Sequence, residues 1–180
     1  MEVVKQGLVL VSGPSRSGKS RWAERLLAQE HPVTYVATAA RRDNDAAWQE
    51  RLRLHRERRP SHWHLVEAEA NLADAVSRIA PDHHLLLDSL GGYVAWCLDC
   101  SDDHWGHCSQ GLVTALTARQ RMTVVVIEET GWGVVPPTAI GGLFRDRLGA
   151  LAQILERHSQ RSWLVVQGRA VDLHALGVLV

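Results

Sequence analysis

The chain has 180 residues, 46% of them hydrophobic and 22% charged, with 20 basic side chains against 20 acidic ones. That size and apolar content suit one domain, residues 1–180, with a full core. The even charge balance excludes a global basic footprint for nucleic acid, and no apolar run approaches the roughly 18–20 residues of a membrane-spanning helix.

Apolar runs alternate with helix-prone ones from end to end. Strands are predicted over residues 8–12, 34–37, 63–67, 84–88, 123–128 and 163–167. Helices are predicted over 19–29, 44–58, 71–79, 92–98, 112–119 and 138–158. This rhythm implies a mostly parallel α/β sheet with helices on both faces. Residues 85–87 and 124–127 are apolar without interruption, as strands covered on both faces are. Ligands are expected at the carboxyl ends of such strands.

The first strand leads into Gly13-Pro14-Ser15-Arg16-Ser17-Gly18-Lys19-Ser20, which fits G-x-x-x-x-G-K-[ST], and a helix leads out. That strand–loop–helix context makes the stretch a phosphate-binding loop. Its glycines let backbone N–H groups converge on phosphate oxygens, and the next helix adds its positive end. Lys19 is expected to reach the β- and γ-phosphates and to act in catalysis; the Ser20 hydroxyl is expected to ligate Mg²⁺.

The second strand ends in small residues, Ala37-Thr38-Ala39. They would let a ligand approach the backbone, although an ordinary strand end looks the same. The next helix is rich in arginine and holds one imidazole, in Arg51-Leu-Arg-Leu-His55-Arg56-Glu57-Arg58-Arg59-Pro60. Trp48, Leu52 and His55 share a face by their spacing, and Arg51, Arg58 and Arg59 flank it. Neighbouring guanidiniums disfavour the charged imidazole. A neutral imidazole is a nucleophile, and the arginines could hold the phosphates that it attacks. A solvated basic helix is the plainer alternative.

The third strand ends at Glu67 and the fourth at Asp88. A carboxylate at Glu67 could accept from a guanine edge or hold an ion. An aspartate beside the loop, at Asp88, is the usual partner of Mg²⁺. Cys97, Cys100, His104, His107 and Cys108 follow, with residue types that suit zinc but cramped spacing. An exposed loop between two helices is the simpler expectation for that segment. Three clustered thiols, in a chain whose first residues carry no signal-peptide pattern, point to reduced cysteines and a cytoplasmic location.

The fifth strand runs into Glu128-Glu129, then two glycines around Trp132, a loop that could cover a ligand. Arg145 and Arg147 of the long helix are expected to point toward the nucleotide or a neighbouring subunit. The tail after Gly168 carries no signal.

Taken together, these residues resemble the bifunctional adenosylcobinamide kinase / adenosylcobinamide-phosphate guanylyltransferase family. The likeness rests on residues 13–21, Tyr35-Val-Ala-Thr38, the His55-to-Pro60 block followed by His62-Trp63, and the Leu-Leu-Asp88 strand end. Further matches are Glu129-x-Gly-x-Gly-x-Val-Pro136, Phe144-Arg-Asp146 and Gly149. The resemblance implies a RecA-like fold in a homotrimer. It implies phosphorylation of adenosylcobinamide by ATP or GTP, then transfer of GMP from GTP through His55 to adenosylcobinamide phosphate. Nucleotide contacts would fall on residues 13–20, on Ala37, Thr38 and Ala39, on Arg56, Glu57, Arg58 and Arg59, and on Glu67 and Asp88. The chain departs from the family pattern at Glu128, at Ala152 and within residues 141–143. A simple phosphate-loop kinase without a covalent intermediate, and a GTP-binding relative without turnover, fit the same loop.

Overall fold

The computed structural model describes residues 6–39, 44–133 and 137–180. The Val135-Pro136 end of the glycine motif and the side chains of Trp48 and Arg51 lie outside the described residues.

Seven strands form one sheet in the order β3-β2-β4-β5-β1-β6-β7. They are β1 (Leu8–Gly13), β2 (Val33–Ala37), β3 (His64–Glu67), β4 (His84–Asp88), β5 (Thr123–Glu128), β6 (Ser159–Val166) and β7 (Arg169–Asp172). Every pairing is parallel except β6 with β7. The helices are α1 (Lys19–Leu26), α2 (Ala46–Arg58), α3 (Leu72–Arg78), α4 (Leu90–Trp96), α5 (Asp102–Thr117), α6 (Ala139–Glu156) and α7 (Leu173–Leu176).

Alternation along the strands divides the core in two. Leu8, Leu10, Leu85, Leu87, Val125 and Ile127 face α3, α4, α5 and α6. Val9, Val11, Leu86, Val124 and Val126 face α1, with Ala23 and Leu27. Both faces are covered, as the apolar runs of β4 and β5 require, and the cover is heavier on one side. None of the described residues of α2 is buried; Leu52 and His55 are half-buried.

Three elements differ from the sequence expectation. Helix α5 begins ten residues before position 112, at Asp102: Ser101 accepts from the His104 N–H, and Asp102 and Asp103 occupy the first turn. That cap and its two acids were a readable start signal. Strand β6 begins at Ser159, earlier than expected; its first residues, Ser-Gln-Arg-Ser, are polar and lack the apolar signal of a strand. The tail after Gly168 is structured. Gln167 (φ +50°) and Gly168 (φ +75°) form a two-residue turn whose positive φ angles match the twist of a hairpin, and Val166 pairs with Arg169 across it.

Candidate active site

β1 carries the phosphate loop to the carboxyl edge of the sheet. Gly18 has φ +101°, a conformation that a side chain disfavours, and from it the chain enters α1. The first N–H groups of a helix have no partner inside it, so Lys19 and Ser20 present donors at the loop. Lys19 is only 4% exposed, and its Nζ donates to the Pro14 carbonyl at 3.3 Å. Ser17 is buried as well, and among the described residues its hydroxyl has no hydrogen-bond partner. A buried polar atom in that condition calls for one, and a phosphate oxygen would fit. The loop is tied to its neighbours: the Ser17 carbonyl accepts from the Gly168 N–H at 3.0 Å and the Gly13 carbonyl from the Glu129 N–H at 2.9 Å. The β6–β7 turn therefore braces the loop from behind.

Facing the loop is a cavity of about 850 Å³. Lys19 and Ser20 from the start of α1, Asp88 from β4, Glu67 from β3, and His55, Arg56 and Arg59 from α2 and its end line it together. Polar contacts clasp α2 to the body. Arg58 donates to both Glu24 oxygens, at 3.2 and 3.0 Å. The Arg59 guanidinium lies 4.8 Å from the centre of the Tyr35 ring, a cation–π contact. His55 is held so that its Nδ1 is 3.7 Å from Asp88 Oδ2. The Tyr35 hydroxyl donates to that same oxygen at 3.0 Å. Burial first, and the Asp88 charge second, push the Tyr35 phenol well above its ordinary pKa, so it stays protonated and donates.

The corner after β4 is built from hydrogen bonds. The Thr38 hydroxyl donates to the Ser89 carbonyl at 2.5 Å and accepts from the Ser89 N–H at 3.0 Å. Trp96 Nε1 donates to the Thr38 carbonyl at 2.9 Å. No side chain on α4's own N-cap residue serves that helix. Glu128, at the end of β5, reaches across instead: the Ser89 hydroxyl donates to one of its oxygens and the Gly91 N–H to the other, the latter at 2.9 Å. An acidic group there also meets the positive end of α4.

Most of the residues singled out in the sequence thus converge, and a few do not. Ala37 and Ala39 line the cavity, and Thr38 stands behind them, 1% exposed. Glu57 pairs with Arg53 on the outer side of α2, and Arg58 turns to Glu24. The arginines of α6 make contacts within the chain. Buried Arg147 donates to the Cys97 and Cys100 carbonyls at 2.7 and 2.9 Å and to Asp102 at 2.9 Å, capping the end of α4. Arg145 reaches Asp146 at 3.3 Å. The cysteine–histidine segment is largely the first half of α5 rather than a loop. Its thiols face the core while His104 and His107 are exposed, so one ion cannot collect both kinds of donor. Among the described residues there is no group of three His, Cys, Asp or Glu side chains placed to hold a metal. Ala152 packs on the core and lines a second cavity of about 890 Å³ against the C-terminal residues. Sequence reasoning missed Tyr35 and Trp96 as site residues, because an aromatic at a strand or helix end reads as core.

The loop, the parallel sheet and the convergence of charged groups at its carboxyl edge define a protein of the phosphate-loop class, with a RecA-like α/β fold. Solved structures agree on the fold alone. The flagellar accessory protein FlaH from Methanocaldococcus jannaschii superposes with a TM-score of 0.55 at 15% identity, over 98% of this chain and 84% of that one. A protein of Pyrococcus horikoshii OT3, PH0250, gives 0.56 at 8% identity, over 95% and 88%. The chain belongs to the family of cobinamide kinase / cobinamide phosphate guanyltransferase, whose sequence profile matches residues 9–173. It is 33% identical to the bifunctional adenosylcobalamin biosynthesis protein CobU of Escherichia coli K12, over 92% of this chain and 99% of that protein. It is 34% identical to the bifunctional adenosylcobalamin biosynthesis protein CobP of Pseudomonas aeruginosa, over 91% and 95%. By family the chain is a transferase that acts in cobalamin biosynthesis. Among the described residues, no helix is long and apolar enough to cross a membrane.

Proposed function

We propose that this chain phosphorylates adenosylcobinamide with ATP or GTP, and then transfers GMP from GTP to adenosylcobinamide phosphate through a guanylyl-histidine at His55. The observation that carries the reading is the placement of His55 on the same cavity as Lys19, Ser20 and Asp88. A nucleophile and a phosphate loop that share one chamber allow one bound triphosphate to be used at either end.

In the kinase step the γ-phosphoryl group passes to the aminopropanol hydroxyl of the corrinoid, and the nucleoside diphosphate leaves. Lys19 and the loop N–H groups hold the phosphates and offset their growing charge. In the second reaction a His55 nitrogen attacks the α-phosphorus of GTP. A nitrogen–phosphorus bond forms, the bond to the β-phosphate oxygen breaks, and pyrophosphate leaves with that electron pair. A phosphate oxygen of adenosylcobinamide phosphate then attacks the same phosphorus and the imidazole is released, giving adenosylcobinamide-GDP. Splitting one displacement into two is the use of covalent catalysis. Arg56 and Arg59 line the same space and suit the phosphates.

Ser20 and Asp88 fit Mg²⁺: both offer hard oxygen donors to the cavity, and the Tyr35 and His55 contacts engage only Oδ2 of Asp88. When bound, Mg²⁺ neutralises phosphate charge. Glu67, on the cavity wall, is the acceptor we assign to the guanine edge. A homotrimer in the cytoplasm belongs to the same reading, which the three free thiols suit.

The test is GTP labelled at the α-phosphate. The protein should take up a label that acid removes and base does not, and a chase with adenosylcobinamide phosphate should discharge it. Equal labelling of His55→Ala would sink the assignment.

A further inference from the structure

We infer that Asp88 and Tyr35 set the tautomer and the aim of His55, so that the guanylyl group is carried on Nε2 of the imidazole. The inference deepens the covalent reading above and rests on it.

Tyr35 is 6% exposed, and a buried phenol seeks an acceptor. The acceptor is Asp88 Oδ2, at 3.0 Å. The Arg59 guanidinium over the Tyr35 ring fixes the phenol from its other side. Oδ2 of the carboxylate is thus engaged as an acceptor, and it is that oxygen which His55 Nδ1 approaches to 3.7 Å. A neutral imidazole has a proton on one nitrogen and a lone pair on the other. A lone pair turned toward an acceptor oxygen is repelled, and an N–H turned toward it is attracted. Nδ1 is consequently the protonated nitrogen. The contact is longer than a hydrogen bond, as catalytic contacts often are before substrate binds.

Nε2 then carries the lone pair that attacks the α-phosphorus. As the Nε2–P bond forms and the P–O bond to pyrophosphate breaks, the ring becomes positively charged with its proton still on Nδ1. No proton has to leave. The charge appears beside the Asp88 carboxylate, which faces the N–H that bears it and offsets it. When the acceptor phosphate attacks, the Nε2–P electron pair returns to the ring and the original tautomer is restored. Attack through Nδ1 would instead drive the α-phosphate against the carboxylate. Asp88 and Tyr35 act through His55 and are positioning residues.

The experiment uses the full chain with ¹⁵N in its histidine rings, near pH 8, with His55 signals assigned by difference from His55→Gln. The resting protein should show His55 protonated at Nδ1, and after GTP the phosphorus coupling should appear on Nε2. Asp88→Asn should raise the Nε2–H tautomer and slow guanylylation by about 10²-fold or more. Because Asp88 is also assigned to Mg²⁺, Tyr35→Phe provides the second arm. It keeps the carboxylate and should slow labelling several-fold with the KM for GTP unchanged and the label still on Nε2. Phosphorus on Nδ1, a resting Nε2–H tautomer, or full-rate labelling in Tyr35→Phe each overturns this inference alone. Absence of phosphorus on any histidine overturns the covalent reading and this inference with it.

Discussion

Glu128 caps α4 from another strand, and its removal has a calculable consequence. The Glu128→Ala variant strips the acceptor from the Ser89 hydroxyl and the Gly91 N–H. The hydroxyl can turn elsewhere, but the N–H of buried Gly91 cannot. Leaving such a donor unmet costs about 1–3 kcal/mol, and for a chain of this size each kcal/mol lowers Tm by about 2–4 °C. A fall of roughly 2–12 °C is expected by calorimetry, and less for Glu128→Gln, which keeps an acceptor but not the charge. The partner residue offers a sharper measurement. A Cβ on Gly91 would collide with Glu128 Oε2, so Gly91→Ala must expel the carboxylate and lose the cap, at about 1–3 kcal/mol. With Glu128 already alanine nothing is left to expel, and the helix gains about 0.5–1 kcal/mol from replacing glycine. Gly91→Ala should therefore destabilise the wild type and stabilise the Glu128→Ala background. An equal penalty in both backgrounds, or an unchanged Tm in Glu128→Ala, refutes the capping argument.

Gly92→Ala should behave differently from its neighbour: its Cβ would meet the Thr38 backbone at 2.9 and 3.0 Å, which no side-chain rotation relieves, so a loss of about 1–3 kcal/mol should persist in the Glu128→Ala background. Lys19→Ala should weaken GTP binding by about 10²-fold, the worth of a charge-assisted contact of about 2–3 kcal/mol, and should slow γ-transfer and guanylylation together; guanylylation at the full rate would separate the loop from His55. Burial holds His84 below its ordinary pKa against the pull of Glu30, 3.4 Å away. The unfolded chain takes the proton first, so the stability that His84 contributes is whole above about pH 6.5 and is lost as pH falls through the lower folded value; melts from pH 8 to 5 should show a smaller fall for His84→Phe than for the wild type. Burial also pushes the Cys97 thiol up to about 11, so iodoacetamide at neutral pH should spare Cys97 in the native protein and modify it at once in denaturant.

How far the site could be read in the sequence depended on whether its information is local. The loop from Gly13 to Ser20 was legible because its chemistry is backbone chemistry, set by adjacent residues. Asp88 and Glu67 were legible as strand ends, since the end of an apolar run marks the sheet edge. The fate of each arginine was not: Arg56 and Arg59 line the cavity, Arg58 goes to Glu24 and Arg147 to the end of α4, and no spacing distinguishes them. Glu128 looked like a departure at a binding loop; in the fold its two oxygens serve α4.

By itself the sequence determined the alternation of strands and helices, the parallel character of the sheet, the edge where ligands gather and the presence of a phosphate loop. Those properties follow from apolar periodicity and from local backbone preferences, which neighbouring residues settle between themselves. Only the tertiary structure decided that Tyr35 holds Asp88, that Asp88 faces His55, and that the β6–β7 turn donates to the phosphate loop. Each of these joins residues from 33 to 151 positions apart in the chain. Such pairs form because packing seven strands in one order brings their ends together, and a buried polar group takes whichever partner that order places within reach.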